Sequence, residues 1–265
     1  MSSYPPEIQP VVNDCLPLCK ALGEGRYAVS IGGSYGKGTF DRESDLDFRL
    51  FCERRSATPE ARAELQAAID RWRERDVTID GCWVRTIDEI DRELVRWMDG
   101  TAQPTPMVWT IWGYYLPTDI YNQAVIEDPF GVVARWKTQL QTYPPKLKET
   151  LLEKHLGSMR YWREDYHYRH KVARRDPIFL SGLASRLVHD MAQVLFALNE
   201  TYYVGDGNNL DFIRKFEHVP DGFGTRVEKA LYPQTSDDRY EVQYQTLVEL
   251  MDDVEELAHR LTDER

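Results

Sequence analysis

Apolar residues recur at two different spacings along the chain, and the change from one to the other constrains the fold most strongly. Before residue 129, segments with alternating apolar side chains lie between segments in which apolar residues recur every three or four positions. These are the periods of β-strands and α-helices. After Pro129 the helical spacing continues almost without interruption. We therefore predict an α+β fold, with a mixed sheet flanked by helices over residues 1–128 and a helical bundle over residues 129–265.

The segment Asp45–Phe51 carries the clearest strand pattern. Its apolar side chains Leu46, Phe48 and Leu50 alternate with the charged side chains Asp45, Asp47 and Arg49. A period of two predicts a half-buried β-strand. Because alternate residues of a strand share a face, the Cβ atoms of Asp45 and Asp47 are expected to lie roughly 6–7 Å apart. Apolar runs predict two further strands, over residues 27–31 and 77–84.

Two other parts of the sequence are less specific. Residues 100–130 are interrupted by several prolines and show no clean period, so their secondary structure stays open. Within them, Met107–Tyr115 is rich in aromatic residues, which are typical either of core packing or of a wall that contacts substrate. In the second half, helical spacing continues over residues 146–175 and predicts a single long helix.

A glycine-rich turn follows the strand that ends at Ile31. Gly32 and Gly33 lack Cβ atoms, so backbone amides at this turn can approach the oxygens of a phosphate group. Ser34 adds a hydroxyl donor, and Lys37 adds a positive charge close to it in sequence. We therefore expect the turn to bind an anion, and a nucleoside triphosphate suits this set of residues.

The carboxylates of Asp45 and Asp47 predict a metal site close to this turn. Two unpaired carboxylates in one site repel each other, and a divalent cation is the simplest group that neutralises them. The ligands would be oxygen atoms, since no cysteine or histidine lies between Gly23 and Phe51. Mg²⁺ is therefore the expected ion, and two ions about 3.5–4 Å apart would suit phosphoryl transfer.

The order of these residues resembles the signature of a known enzyme superfamily. Gly33-Ser34, then Gly38, then Ser44-Asp45-Leu46-Asp47 is similar to the motif of the DNA polymerase beta-like nucleotidyltransferases. The helical second half is most similar to antibiotic nucleotidyltransferases that act on aminoglycosides and lincosamides, chiefly over residues 196–202. This resemblance implies a two-domain enzyme, with a nucleotidyltransferase domain over residues 1–128 and an acceptor-binding helical domain over residues 129–265.

The same resemblance implies further members of the site. A third carboxylate is expected on a neighbouring strand, and Asp80 fits this position as a metal ligand, as the base that deprotonates the acceptor, or as both. Glu127 is the alternative base, and Ser44 belongs to the nucleotide-binding residues of the motif. The implied reaction transfers AMP from ATP to a hydroxyl group and releases pyrophosphate, with two Mg²⁺ ions as cofactors held by Asp45, Asp47 and Asp80.

The charge balance bears on the partners of the protein. The chain has 33 Lys and Arg residues against 44 Asp and Glu residues, a formal net charge of -11. Because such a protein repels phosphate backbones, nucleic acid is not expected as a partner. The expected acceptor is a cationic or neutral hydroxylated small molecule, an aminoglycoside first and a lincosamide second. Two alternatives stay open: an AMPylating, antitoxin-like nucleotidyltransferase that modifies a protein, and a non-catalytic module that binds nucleotide.

The sequence has the features of a cytoplasmic protein. No apolar run approaches the roughly 18 residues of a membrane span, so no membrane partner is expected. Residues 1–10 lack the basic segment and apolar run of a secretory signal. The four cysteines form no CxxC pair, which predicts reduced thiols. We therefore expect a cytoplasmic monomer or homodimer.

Overall fold

The computed structural model of the protein describes residues 4–205 and 207–263. Residues 1–3, which belong to the segment considered above for a secretory signal, lie outside these ranges. Within the described residues, helices flank a four-stranded mixed sheet, which confirms the predicted α+β class. None of the described helices is long and apolar enough to cross a membrane.

The chain forms two compact units, each built from two segments. The first comprises Met1–Trp97 and Tyr115–Thr142, and the second comprises Met98–Tyr114 and Tyr143–Arg265. The boundary predicted between residues 128 and 129 lies inside the first unit. The boundary was predicted before the helix Val132–Leu140 because apolar residues recur in this helix at the same spacing as in the helices of the second unit. In the structure, however, this helix packs against the first strand of the sheet.

The first unit contains the sheet. After a 3₁₀ helix (Pro6–Ile8), its elements are α1 (Gln9–Lys20), β1 (Gly23–Ile31), α2 (Gly33–Lys37), β2 (Leu46–Arg55), α3 (Pro59–Arg73), β3 (Ile79–Thr86), α4 (Ile87–Met98), α5 (Leu116–Tyr121), β4 (Ala124–Glu127) and α6 (Val132–Leu140). The strand order is β3-β2-β1-β4. Strand β1 is antiparallel to β2 and β4, while β2 and β3 are parallel. The beginnings of β2 and β3 therefore lie side by side.

Along β2, the alternation of apolar and charged residues is matched by the burial of their side chains. Leu46, Phe48 and Leu50 are fully buried and belong to a core cluster that also contains apolar residues of α1 and α3. Asp47 and Arg49, which alternate with them, are half-buried. The strand begins at Leu46, so Asp45 immediately precedes it instead of lying within it. The apolar face thus fixes the register of β2 and leaves its charged residues on the opposite face.

The second unit is helical over most of its length. Its helices are α7 (Pro145–Glu164), α8 (Tyr166–Arg174), α9 (Pro177–Leu198), α10 (Asn209–Ile213), α11 (Phe223–Leu231) and α12 (Arg239–Asp263). Helices α7, α9 and α12 pack against one another. The prediction of one helix over residues 146–175 is wrong, because Asp165 adopts an extended conformation between α7 and α8. Its carboxylate accepts a hydrogen bond from the amide of His167 at 2.6 Å and so caps a new helix.

Candidate active site

Asp47 lies at the centre of the candidate site, near the start of β2. Its backbone carbonyl accepts a hydrogen bond from the amide of Gly32 at 2.9 Å, which ties the end of β1 to the start of β2. Its neighbour across the parallel ladder is Gly81 of β3. The Asp47 side chain is only 18% exposed. The amide of Gly32, expected from the sequence to face a phosphate, therefore serves to position Asp47.

Four carboxylates contribute to the electrostatics of this site. Burial raises the pKa of the Asp47 carboxyl; the charge of Arg49 opposes this rise, and the charges of Asp45, Asp119 and Asp80 add to it. Asp45 is half-buried, whereas Asp80 is exposed on β3, where a register shift leaves it between paired positions. Asp45, Asp80 and Asp119 thus lie near enough to Asp47 for their charges to raise its pKa.

The glycines of the turn lie directly against two of these carboxylates. Gly33 has a φ of +57°, and a Cβ atom at this position would lie 1.9 Å from Oδ2 of Asp47. A Cβ atom on Gly32 would lie 2.9 Å from Oδ1 of Asp119. Close packing is therefore one physical reason for the two glycines, in addition to the room they leave for a ligand.

The other residues predicted to contact nucleotide occupy different environments. The hydroxyl of Ser34 is buried and has no hydrogen-bond partner among the residues that the structure describes. Lys37 ends α2 and is half-buried. The hydroxyl of Ser44 makes contacts within the chain: it accepts a hydrogen bond from the Asp41 amide at 2.9 Å and donates one to the Asp41 carboxylate at 3.0 Å. Ser44 therefore stabilises the turn before β2.

Glu127 is held away from the four carboxylates. It ends β4, which is separated from β2 by β1. Its carboxylate accepts hydrogen bonds from Lys20 at 3.0 and 3.2 Å and a short one from the Tyr27 hydroxyl. The Tyr27 hydrogen bond, with help from Lys20, lowers the pKa of Glu127. A carboxylate with two donors and a lowered pKa is a poor proton acceptor, so the structure does not support Glu127 as the alternative base.

Sequence reasoning missed two residues, Arg49 and Asp119. A nitrogen of the Arg49 guanidinium lies 3.4 Å from Asp47, and another lies 3.5 Å from Asp119. Arg49 continues the alternation of charged residues along β2, so its position next to the acidic pair was already visible in the sequence. Asp119 lies in the region left without a secondary-structure prediction, where Pro117 near the start of α5 was the available helix signal.

Hydrogen bonds anchor Asp119 to the sheet. The Gln123 side chain donates to Oδ1 of Asp119 at 2.9 Å and accepts from the hydroxyl of Ser30 at 2.6 Å. Ser30 and Gln123 are almost completely buried. Asp119 is therefore oriented by strand β1, although it lies far from it in sequence.

Within residues 4–205 and 207–263, no group of three or more His, Cys, Asp or Glu side chains is arranged to hold a metal ion.

A second buried polar cluster lies within the helical unit. Asp190 accepts hydrogen bonds from His155 at 2.6 Å and from Ser158 at 2.7 Å. His189 stacks on Trp112, with ring centroids 4.2 Å apart. The pKa of His189 is lowered to about 3, chiefly by burial; the charges of His155 and Lys154 contribute to this shift, and that of Asp190 opposes it. His189 is therefore neutral at physiological pH.

This shift predicts a loss of stability in acid. Because the pKa of His189 is depressed on folding, its contribution to stability is complete above the unfolded value of about 6.5 and is lost as the pH falls towards 3. We expect the free energy of unfolding to decrease over this range by up to about 1.4 kcal/mol per pH unit. The free energy of unfolding is measured by urea titration at several pH values. Its decrease per pH unit should be smaller for His189→Gln than for the wild type, whereas substitution of the exposed His259 (His259→Gln) should leave it unchanged. An equal pH dependence in the wild type and both variants would contradict the assignment.

Comparison with known protein families matches part of the chain. A family model described as a domain of unknown function, DUF4037, matches residues 118–206, which is less than half of the chain. The matched segment begins next to Asp119 and includes the His155 and Asp190 cluster, but it excludes the glycine-rich turn and β2. No curated protein gives a significant match to the chain. The chain is thus similar, over this segment, to a family whose description assigns no activity.

Proposed function

We propose that the protein is a Mg²⁺-dependent nucleotidyltransferase of the DNA polymerase beta-like superfamily, which transfers AMP from ATP to a hydroxyl group of a small molecule. One observation carries the proposal: the half-buried carboxylate of Asp47 lies against the glycine-rich turn and within the electrostatic influence of Asp45, Asp80 and Asp119. A glycine-rich turn next to clustered carboxylates is an arrangement that serves phosphoryl transfer, because it combines an anion site with a divalent-cation site.

The residues of the site fit Mg²⁺ by their chemistry. All the carboxylates near Asp47 are oxygen ligands, which Mg²⁺ prefers. Burial and like charges raise the pKa of Asp47, and a bound divalent cation would remove this unfavourable interaction. Among the described residues these carboxylates are not arranged around an ion, so binding of Mg²⁺ would draw Asp45, Asp47 and Asp80 together, and these three would hold it. When bound, Mg²⁺ supplies neutralisation of the triphosphate charge and activation of the attacking oxygen.

The protein residues would position the donor and move one proton. The buried Ser34 hydroxyl is available to donate to a phosphate oxygen, and Lys37 adds a positive charge at the end of α2. The acceptor oxygen attacks the α-phosphorus, and the bond from that phosphorus to the bridging oxygen of pyrophosphate breaks. The acceptor proton passes to the exposed carboxylate of Asp80, which then releases it to water. Pyrophosphate leaves with the bridging oxygen.

The chemical class of the acceptor is proposed from the charge of the protein. Asp80 is exposed, and the protein carries a net charge of -11, so a cationic hydroxylated molecule is attracted and an anionic one is repelled. An aminoglycoside satisfies both requirements. A lincosamide carries fewer positive charges and is the second choice. The binding of either acceptor by the helical second unit remains a prediction.

The proposal is tested by incubating the protein with labelled ATP, Mg²⁺ and a panel of aminoglycosides and lincosamides, followed by mass spectrometry. We expect an adduct that carries one added AMP on at least one antibiotic, together with release of pyrophosphate. Omission of Mg²⁺ should abolish both products. Failure of ATP with Mg²⁺ to bind in isothermal titration calorimetry would overturn the nucleotide assignment, and binding without transfer to any member of the panel would overturn the proposed acceptor class.

A further inference from the structure

The Arg49 guanidinium lies between two carboxylates of the candidate site. Its Nη1 is 3.4 Å from Oδ1 of Asp47, and its Nε is 3.5 Å from Oδ2 of Asp119. The side chains of Asp47, Arg49 and Asp119 are only 18%, 12% and 10% exposed, so solvent screens their charges weakly. Both separations exceed the roughly 2.7–2.9 Å of a tight charge-assisted hydrogen bond. The guanidinium is thus shared between the two carboxylates.

The same guanidinium lies over the glycine-rich turn. A Cβ atom on Gly32 would lie 3.2 Å from Nε and 3.3 Å from Cζ of Arg49, so a larger residue at this position would require the guanidinium to shift by a few tenths of an ångström. On β3, the neighbouring strand, the ring of Trp83 has its centroid 5.3 Å from Cζ of Arg49. Arg49 therefore lies close both to the proposed metal ligand Asp47 and to the turn proposed to bind the triphosphate.

Resting on the proposed function, we propose that Arg49 is an internal counter-cation that exchanges partners: it neutralises Asp47 and Asp119 in the nucleotide-free protein and contacts the triphosphate once a divalent cation is bound beside Asp47. The exchange keeps Asp47 and Arg49 paired. Asp47 loses the guanidinium but gains the metal ion, and the guanidinium gains a phosphate oxygen in place of the carboxylate. Arg49 thus competes with the metal ion for Asp47 but strengthens the binding of the nucleotide.

This role has a signature that a structural arginine would lack. Removal of the guanidinium should strengthen the binding of a divalent cation alone, because the carboxylates then face no competing charge. It should weaken the binding of ATP at saturating Mg²⁺, because a phosphate contact is lost while competition with the metal no longer matters. An arginine that only supports the fold would weaken both interactions together.

The test compares Arg49→Met with Arg85→Met. Arg85 is a matched control, because its guanidinium lies 5.1 Å from the centroid of the same Trp83 ring but pairs with Glu93 at 2.6 Å. Binding of Mn²⁺ alone is measured by electron paramagnetic resonance of the free ion, and binding of ATP at saturating Mg²⁺ by isothermal titration calorimetry. For Arg49→Met we expect roughly tenfold tighter Mn²⁺ binding and at least roughly tenfold weaker ATP binding. For Arg85→Met we expect changes below about twofold.

The outcomes separate this inference from the proposed function. If wild-type protein binds both Mn²⁺ and ATP, but Arg49→Met weakens both or changes neither, the counter-cation role is wrong while the nucleotide site stands. If wild-type protein binds neither ligand, the proposed function fails and this inference fails with it. Should Arg49→Met not fold, Arg49→Gln provides the same comparison, since it keeps polar contacts but removes the charge, and the same opposite changes are expected of it.

Discussion

Asp47→Asn is expected to reduce the rate of AMP transfer by more than about a hundredfold. This loss is larger than the roughly 10–100-fold loss that is typical when a residue that only hydrogen-bonds to a metal ligand is replaced. Asparagine keeps the size and shape of the side chain but removes the negative charge that the proposed Mg²⁺ site needs. Because Asp47 is 18% exposed and lies against Gly33, a water molecule or a neighbouring residue has little room to replace it. Measurement of kcat with the best acceptor of the panel tests the effect, and Mn²⁺ binding should weaken in parallel.

The stability of this variant should not fall with its activity. Since burial raises the pKa of Asp47, the ionised carboxylate costs stability above the folded pKa, and that cost disappears as the pH falls to the unfolded value. Asp47→Asn removes the charge at every pH, so its melting temperature without divalent ions should equal or exceed that of the wild type. A folded Asp47→Asn protein with wild-type kcat would show that Asp47 has no part in the reaction.

Glu127→Gln is the matched control for this substitution. It also replaces a carboxylate by an amide on a strand of the same sheet, but Glu127 pairs with Lys20 and Tyr27 instead of facing Asp47. We expect kcat to stay within about threefold of the wild type and stability to fall by about 1 kcal/mol from weakened hydrogen bonds. A large loss of kcat in this variant would return Glu127 to the role of base.

The parts of the fold that were predicted from sequence depend on local patterns. Strand β2 was found because every second residue is apolar and buried, as Leu46 and Phe48 show. Strand β3 was found from an apolar run, although it begins and ends two residues later than predicted. The break at Asp165 was missed because apolar spacing continues across it, and only the capping hydrogen bond to His167 distinguishes two helices from one.

The candidate site was predicted only where its members are close in sequence. Asp45 and Asp47 are only two residues apart in sequence, so they lie close together even though Asp45 immediately precedes β2. Asp119 reaches the site through α5 and its hydrogen bond to Gln123, a tertiary contact without a local signature. The surroundings of Glu127 were not predicted for the same reason: the sequence shows a carboxylate, but its partners Lys20 and Tyr27 come from another part of the chain.

Gly33→Ala is expected to abolish most activity by displacing Asp47. The added Cβ atom would lie 1.9 Å from Oδ2 of Asp47, a distance that no real contact allows, so the carboxylate or the turn must move. A displacement of about 1 Å at a reacting group can reduce the rate about a hundredfold. The φ of +57° also strains alanine by about 1–2 kcal/mol. We therefore expect kcat to fall about a hundredfold and thermal denaturation to show lower stability.

Gly38→Ala separates displacement of Asp47 from backbone strain. Gly38 ends the same short helix with a similar φ of +69°, but among the described residues nothing lies within 4 Å of an added Cβ atom. This variant should lose about 1–2 kcal/mol of stability, as Gly33→Ala does from strain alone, while kcat stays within about threefold of the wild type. If both variants lose activity equally, strain in α2 explains the loss, and the contact between Gly33 and Asp47 is not what the reaction requires.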